Sequence, residues 1–197
     1  MLLPLLLLLS WGGAPLPAPP EDPFAARVDA SEESLVLVDA GSFRMRVYAR
    51  GVMAREYEIG LGQAPGAKER RGDLRTPRGT YFVTARSQGP FRGDYAAYFG
   101  GHWVAINYPG PEDAERGVKR GWIDTATRDA ITSRWRARQA TNSRTQLGGG
   151  IGFHGWAHEW NLERDGGFLS WGCVVLHLAD IADFYARVPV GAKVVIF

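Results

Sequence analysis

Cys173 is the only cysteine in a chain of 197 residues, and it sits in the stretch Ser170-Trp171-Gly172-Cys173-Val174-Val175-Leu176. A thiol attacks a carbonyl carbon as its thiolate, and with an unperturbed pKa of ~8.5 it needs a neighbouring base or cation to do so near neutral pH. His154, in Ile151-Gly152-Phe153-His154-Gly155, is the leading candidate for that base. Nineteen positions separate the two, too many for one helical turn but suited to adjacent β-segments joined by a loop. Gly172 adds a third element: without a side chain there, the backbone can bring N–H groups close to a substrate carbonyl and form an oxyanion hole.

The same residues allow a second chemistry. His154 and His158 are four apart, as are Cys173 and His177, a zinc-like set of one cysteine and three histidines. Glu159 would then be the base beside a metal-bound water. That spacing gathers ligands only on a helix, and Gly155 with the strand pattern around it argues against one. The reading carried forward has no metal and no cofactor, with His158, His177 and His102 as surface or core residues.

The elements that must position Cys173 and His154 are mostly strands. Segment 34–39 reads as an opening strand, 43–50 alternates apolar and polar residues in period two, as a half-buried strand does, and Gly51 turns the chain into a further strand over 54–61. Turn residues separate them, which points to a meander of antiparallel strands with little sign of βαβ units. Thr76-Pro77-Arg78-Gly79-Thr80-Tyr81 leads through a fixed turn into a strand over 80–85, and 103–108 is a further strand. Helices are expected at 111–119, which opens with Pro and acidic residues, at 124–140 behind an Asp124 or Thr125 cap, and around 180–188. A long loop over 156–169 joins the histidine strand to the cysteine stretch.

Composition bounds the rest. With 45% hydrophobic and 22% charged residues the chain can bury one core, and a net charge of +2 from dispersed basic residues gives no case for nucleic acid. Residues 1–18 begin with a leucine-rich run followed by small residues and read as an export signal or apolar segment, 19–33 as a Pro/Ala-rich linker, and 34–197 as the folded domain. Export to the periplasm or cell envelope would put a lone cysteine in an oxidising compartment, which marks it as a reactive thiol. The loop 63–78 carries Lys68, Arg70, Arg71, Arg75 and Arg78, either a solvated surface or a wall that attracts carboxylates of an anionic peptide. Tyr95, Tyr98 and Phe99 would stack on a sugar or pack the sheet edge.

Taken together these stretches resemble the L,D-transpeptidase (YkuD-type) catalytic domain of bacterial cell-wall enzymes. The His-Gly pair, the Ser-x-Gly-Cys stretch after about fifteen residues, the Thr-Pro-x-Gly-x-aromatic strand start at 76–81, the Asn107-Tyr108-Pro109-Gly110-Pro111-Glu112-Asp113 segment and the closing helix, Val-Pro-x-Gly turn and strand come in the family's order. The resemblance implies a mainly β fold, an antiparallel β-sandwich or meander with a few peripheral helices. It makes Cys173 the nucleophile, His154 its base, the Gly155 carbonyl the group that orients the imidazole, the Gly172 and Cys173 N–H groups the oxyanion donors, and Ser170 a residue that holds the loop or bonds the imidazole. Trp171, Trp156, Tyr81 and Arg78 are expected to bind substrate. Two positions depart from the family pattern: Trp171 stands where histidine is usual, and Val175 where arginine is frequent.

The activity implied is acyl transfer on peptidoglycan stem peptides through a thioester, in cell-wall remodelling. The acceptor would be an amine of a second stem peptide, a D-amino acid or a protein lysine, with the 156–169 loop and the 124–140 helix as lids that exclude water. Hydrolysis of the same bonds, as an L,D-carboxypeptidase or amidase, is the alternative. A third is a non-catalytic peptidoglycan-binding domain that uses Trp156, Trp160 and Trp171.

Overall fold

Alternation builds the first three strands. In β2 (Arg44–Ala49) Met45 and Val47 point to the core while Arg44 and Arg46 stay at the surface, and β2 pairs antiparallel with β1 (Ser34–Asp39) and with β3 (Val52–Gly62). The Asp39 carboxylate fixes the turn between β1 and β2 by accepting from the Gly41 N–H at 2.8 Å and the Ser42 hydroxyl at 2.7 Å. The computed structural model describes residues 21–93 and 96–197, so the apolar segment 1–18 and Tyr95 lie outside the described residues. Among those described, no helix is long and apolar enough to cross a membrane.

Six more strands follow: β4 (Gly79–Gln88), β5 (His102–Ile106), β6 (Gly152–Gly155), β7 (Phe168–Ser170), β8 (Val174–Leu176) and β9 (Lys193–Ile196). The sheet runs β2-β1-β9-β4-β5-β6-β8-β3, and β3 pairs back onto β2, so the strands close on themselves with β7 added beside β3. The mainly β class is as expected, but the arrangement is a closed, barrel-like mixed sheet in place of an antiparallel sandwich or meander. Three pairings are parallel: β1 with β9, β6 with β8, and β3 with β7. Period-two alternation says which face a side chain takes and nothing about which strand lies beside it, so partners distant in sequence escaped the reading.

The barrel interior is apolar. Tyr57, Ile59, Tyr81, Val104, Phe153, Val174 and Val194 fill it, and Ile181 and Phe184 of α4 (Leu178–Arg187) close one side. α1 (Pro111–Lys119) and α2 (Thr125–Arg136) pack a smaller core around Ala114, Ile131 and Leu147. The Asp113 carboxylate accepts from the Gly110 N–H at 2.9 Å and the Asp124 carboxylate from the Thr127 N–H at 2.8 Å, capping both helices. Within 156–169 a short helix, α3 (Leu162–Asp165), lies between an Asn161 cap and left-handed Gly166. In the segment read as a linker, Phe24 is buried with Leu35, Leu37 and Tyr48 and meets the Phe197 ring edge-on at 5.6 Å.

Candidate active site

Strand register brings Cys173 and His154 together. β6 and β8 run parallel with His154 opposite Val175 and Phe153 opposite Val174. Phe153 and Val174 face the barrel core, so His154 and Val175 face the other way, and Cys173, two residues before Val175, shares that side. Cys173 and His154 line one cavity of about 300 Å³, together with Trp171, Tyr98, Phe99, Trp103, Lys68, Arg71 and the Gly148-Gly149-Gly150-Ile151 turn. Among the described residues, no carboxylate lines it.

His154 is 6% exposed, and its Nδ1 lies 2.6 Å from the Gly155 carbonyl oxygen and 2.9 Å from that of Tyr98. Two acceptors at one nitrogen place the proton there and leave Nε2 as the basic atom. Burial lowers the imidazole below its usual range, and the two carbonyls oppose that shift without overcoming it. The ring is therefore neutral at pH 7.

Cys173 as a residue keeps partial exposure, but its thiol is packed deeply enough that burial pushes it up to about 11. A bond from the Gly152 N–H and the charge of Lys68 both act in the opposite direction. The thiol donates to the Gly150 carbonyl at 3.6 Å, and no hydrogen bond joins it to His154 in this state. The pair is thus a neutral thiol and a neutral imidazole near pH 7.

The turn before the nucleophile is held by Ser170, 1% exposed. Its hydroxyl donates to the Cys173 carbonyl at 2.5 Å and accepts from the Gly172 N–H at 3.1 Å. Ser170 holds the loop and does not bond the imidazole. Gly172 spends its N–H on Ser170, so the expectation that it is a free oxyanion donor does not hold in this structure. Gly172 has φ +134°, and a Cβ on it would lie 2.9 Å from the Arg75 carbonyl oxygen, so the turn needs glycine.

Behind the cavity, Lys68 and Asp73 form an ion pair at 2.8 Å with side chains only 4% and 9% exposed. Lys68 also donates to the Arg70 carbonyl at 2.9 Å. Burial works against the Asp73 charge, yet the bonds from Lys68 and from the Arg70 and Glu69 N–H groups hold its carboxyl below the usual range.

Of the residues expected to bind substrate, Trp171 is at the site, 49% exposed on the cavity wall with its ring 5.6 Å from Tyr98. Trp156 lies behind that wall, 6.2 Å from Trp171, and packs with Trp160 on the buried Val175. Tyr81 and Arg78 are elsewhere. Tyr81 faces the barrel core at 1% exposure and donates to the Asp113 carboxylate at 3.0 Å, and both line a separate cavity beside α2. Strand alternation sent Tyr81 inward, which its place in a motif could not reveal. Neither α2 nor 156–169 lines the Cys173 cavity, so the walls are the 68–72 and 148–151 loops instead of the expected lids.

His158 and His177 line a third hollow, where His177 stacks on Trp160 at 4.0 Å and faces Glu58 at 3.4 Å. The four residues of the zinc-like set are split between two places, and among the described residues no three His, Cys, Asp or Glu side chains gather to hold a metal. Sequence reasoning missed Lys68 as a buried residue, the Tyr98 carbonyl and the glycine turn. Only the last had a visible signal, three consecutive glycines before the histidine strand.

A family model described as L,D-transpeptidase catalytic domain (YkuD) matches residues 33–196. Among solved structures, a K307A mutant of the helical cell shape determining protein Pgp2 from Campylobacter jejuni superposes with a TM-score of 0.56 at 24% identity, over 84% of this chain and 47% of that one. Bd1075 from Bdellovibrio bacteriovorus gives 0.53 at 22%, over 84% and 48%. An L,D-transpeptidase from Stackebrandtia nassauensis gives 0.53 at 15%, over 86% and 57%. The chain spans about half the length of these structures, and at such identities the likeness is one of fold. A search of curated proteins returns no match.

Proposed function

The chain belongs to the L,D-transpeptidase catalytic domain family, and on that premise we propose that it is an exported cysteine acyltransferase acting on peptidoglycan stem peptides. The observation that carries the reading is one cavity holding a thiol and a histidine whose Nδ1 is pinned on two carbonyls, which leaves Nε2 as the base.

In the first half-reaction the Cys173 thiol turns from the Gly150 carbonyl and gives its proton to His154 Nε2 as the sulfur bonds the carbonyl carbon on the L-centre side of an L,D bond. The Cys173 N–H takes the oxyanion. Collapse of the tetrahedral intermediate breaks the C–N bond, and the imidazolium returns the proton to the departing amine, leaving a thioester. In the second half-reaction an amine from a stem peptide, a D-amino acid or a protein lysine attacks, and His154 receives its proton while the thiolate leaves. Water in place of the amine would make the same site a carboxypeptidase or amidase.

The test is intact-protein mass after incubation with a disaccharide tetrapeptide or a carbapenem. An acyl adduct on the wild type that is lost in Cys173→Ala supports the reading, and products formed with added D-amino acid separate transfer from hydrolysis. An unmodified mass with both reagents points to a binding domain.

A further inference from the structure

A histidine that takes a proton becomes a cation, and no anionic side chain faces His154. Lys68, Arg71, Tyr98 and Cys173 are the other titratable residues on the cavity wall, and among the described residues no carboxylate joins them. Lys68 is matched by Asp73 at 2.8 Å, and the Arg71 guanidinium is a second cation. Burial makes the charged imidazole costly, and the two carbonyls at Nδ1 only partly oppose that.

What does face the ring is aromatic. Trp103 on β5 lies directly opposite His154 in antiparallel register, so the two side chains leave the sheet on the same face. Their ring centroids are 5.7 Å apart and the planes are tilted by only 33°. Phe99 meets the imidazole at 5.2 Å in a T-shaped contact, and Trp156 is 6.4 Å away. An aromatic face attracts a cation within ~6 Å of its centroid, and indole does so best. Distance therefore favours Trp103 and Phe99 over Trp156, and chemistry favours Trp103.

The indole is fixed in advance. Gly152 lies two residues before His154 on the same face of β6, and a Cβ there would come within 2.9 Å of Trp103 Cη2 and 3.0 Å of Cζ2. The missing side chain makes room for the ring, and Phe99 packs on it at 5.4 Å. A charge-stabilising group that is already in place needs no reorganisation when the charge appears.

We propose that Trp103 is a positioning residue whose indole face stabilises the imidazolium of His154 as the thiol gives up its proton. The step it serves is the acyl transfer proposed above, and on that reading it rests. A π face supplies this stabilisation without admitting water or a competing anion to the cavity.

The experiment replaces Trp103 in the full chain with mono-, di- and trifluorinated tryptophans by site-specific incorporation, which weakens the ring quadrupole at nearly constant shape. His154 is titrated by NMR in the Cys173→Ala background, and the acylation rate with a carbapenem is measured with the thiol present. Each added fluorine should move the His154 titration to lower pH and slow acylation, with a total loss of ~3- to 30-fold in rate across the series and little change in Tm. An indole that only packs would lose stability in Trp103→Leu yet ignore the fluorines. A titration, or an acylation rate, that stays constant along the series overturns the assignment. An absent adduct on the wild type would instead remove the acyl-transfer reading, and the titration, made without the thiol, would still decide the contact between the two rings.

Discussion

The Ser170 hydroxyl donates to the main-chain carbonyl of Cys173 at 2.5 Å, so the thiol-bearing residue is positioned by a buried side chain three places before it. The same oxygen takes the Gly172 N–H.

Ser170→Ala removes both bonds and leaves a buried N–H and carbonyl without partners, at a cost of ~1–3 kcal/mol. The expected result is a lower Tm and a fall in kcat greater than the rise in KM. Calorimetry and steady-state kinetics on one preparation check it, and unchanged kcat would mean that the turn holds itself.

Gly172→Ala forces a side chain at φ +134° against the Arg75 carbonyl. A strained site of this kind costs ~1–3 kcal/mol, so the variant should unfold at lower denaturant and react more slowly with a carbapenem. A wild-type denaturation midpoint would refute the steric argument.

The resting neutral pair sets a pH signature. The proposed acyl transfer needs His154 unprotonated, so kcat/KM should rise through an apparent pKa below 6.5 and then stay level, because burial lowers the imidazole. Direct alkylation by iodoacetamide, which draws on free thiolate, should be slow at pH 7 and keep rising toward about 11. Rapid alkylation that is already maximal below pH 7 would show a preformed thiolate–imidazolium pair and contradict this account.

Asp73→Ala strands the buried Lys68 charge, and breaking one side of such a pair costs on the order of 3–5 kcal/mol. The sign with pH also follows. The Asp73 carboxyl is held below the usual carboxylate range, so its contribution is complete above that range and is lost as pH falls through the folded-state value. Melting curves from pH 6 downward should converge for the wild type and Asp73→Asn below that window, and curves that stay parallel would remove the pair from the stability of the loop.

The cysteine and histidine that share a cavity and most strands were legible in the sequence because each leaves a local mark: a lone cysteine, a histidine between glycines, alternation with period two. α1 was placed correctly for the same reason, by Pro111 and the acids that follow it. What was not legible depends on contacts across long separations. The parallel β6–β8 register puts His154 diagonal to Cys173, Tyr98 supplies a carbonyl from fifty-six positions away, and Tyr81 points into the core although its motif precedes the site. The N–H of Gly172 was misread because its partner is a side chain two residues back, which only the folded turn brings round.

The position of β9 has a consequence for how the molecule is made. Lys193–Ile196 lies between β1 and β4, parallel to one and antiparallel to the other, so the first strand has no neighbour on that side until the 196th residue has been synthesised. Before then the β1–β2–β3 ribbon and the β4–β5–β6 ribbon are two open sheets with exposed edges, bridged only through the short β8. Contacts of such sequence separation make for slow folding, and the nascent chain should remain a substrate for chaperones until β9 has emerged.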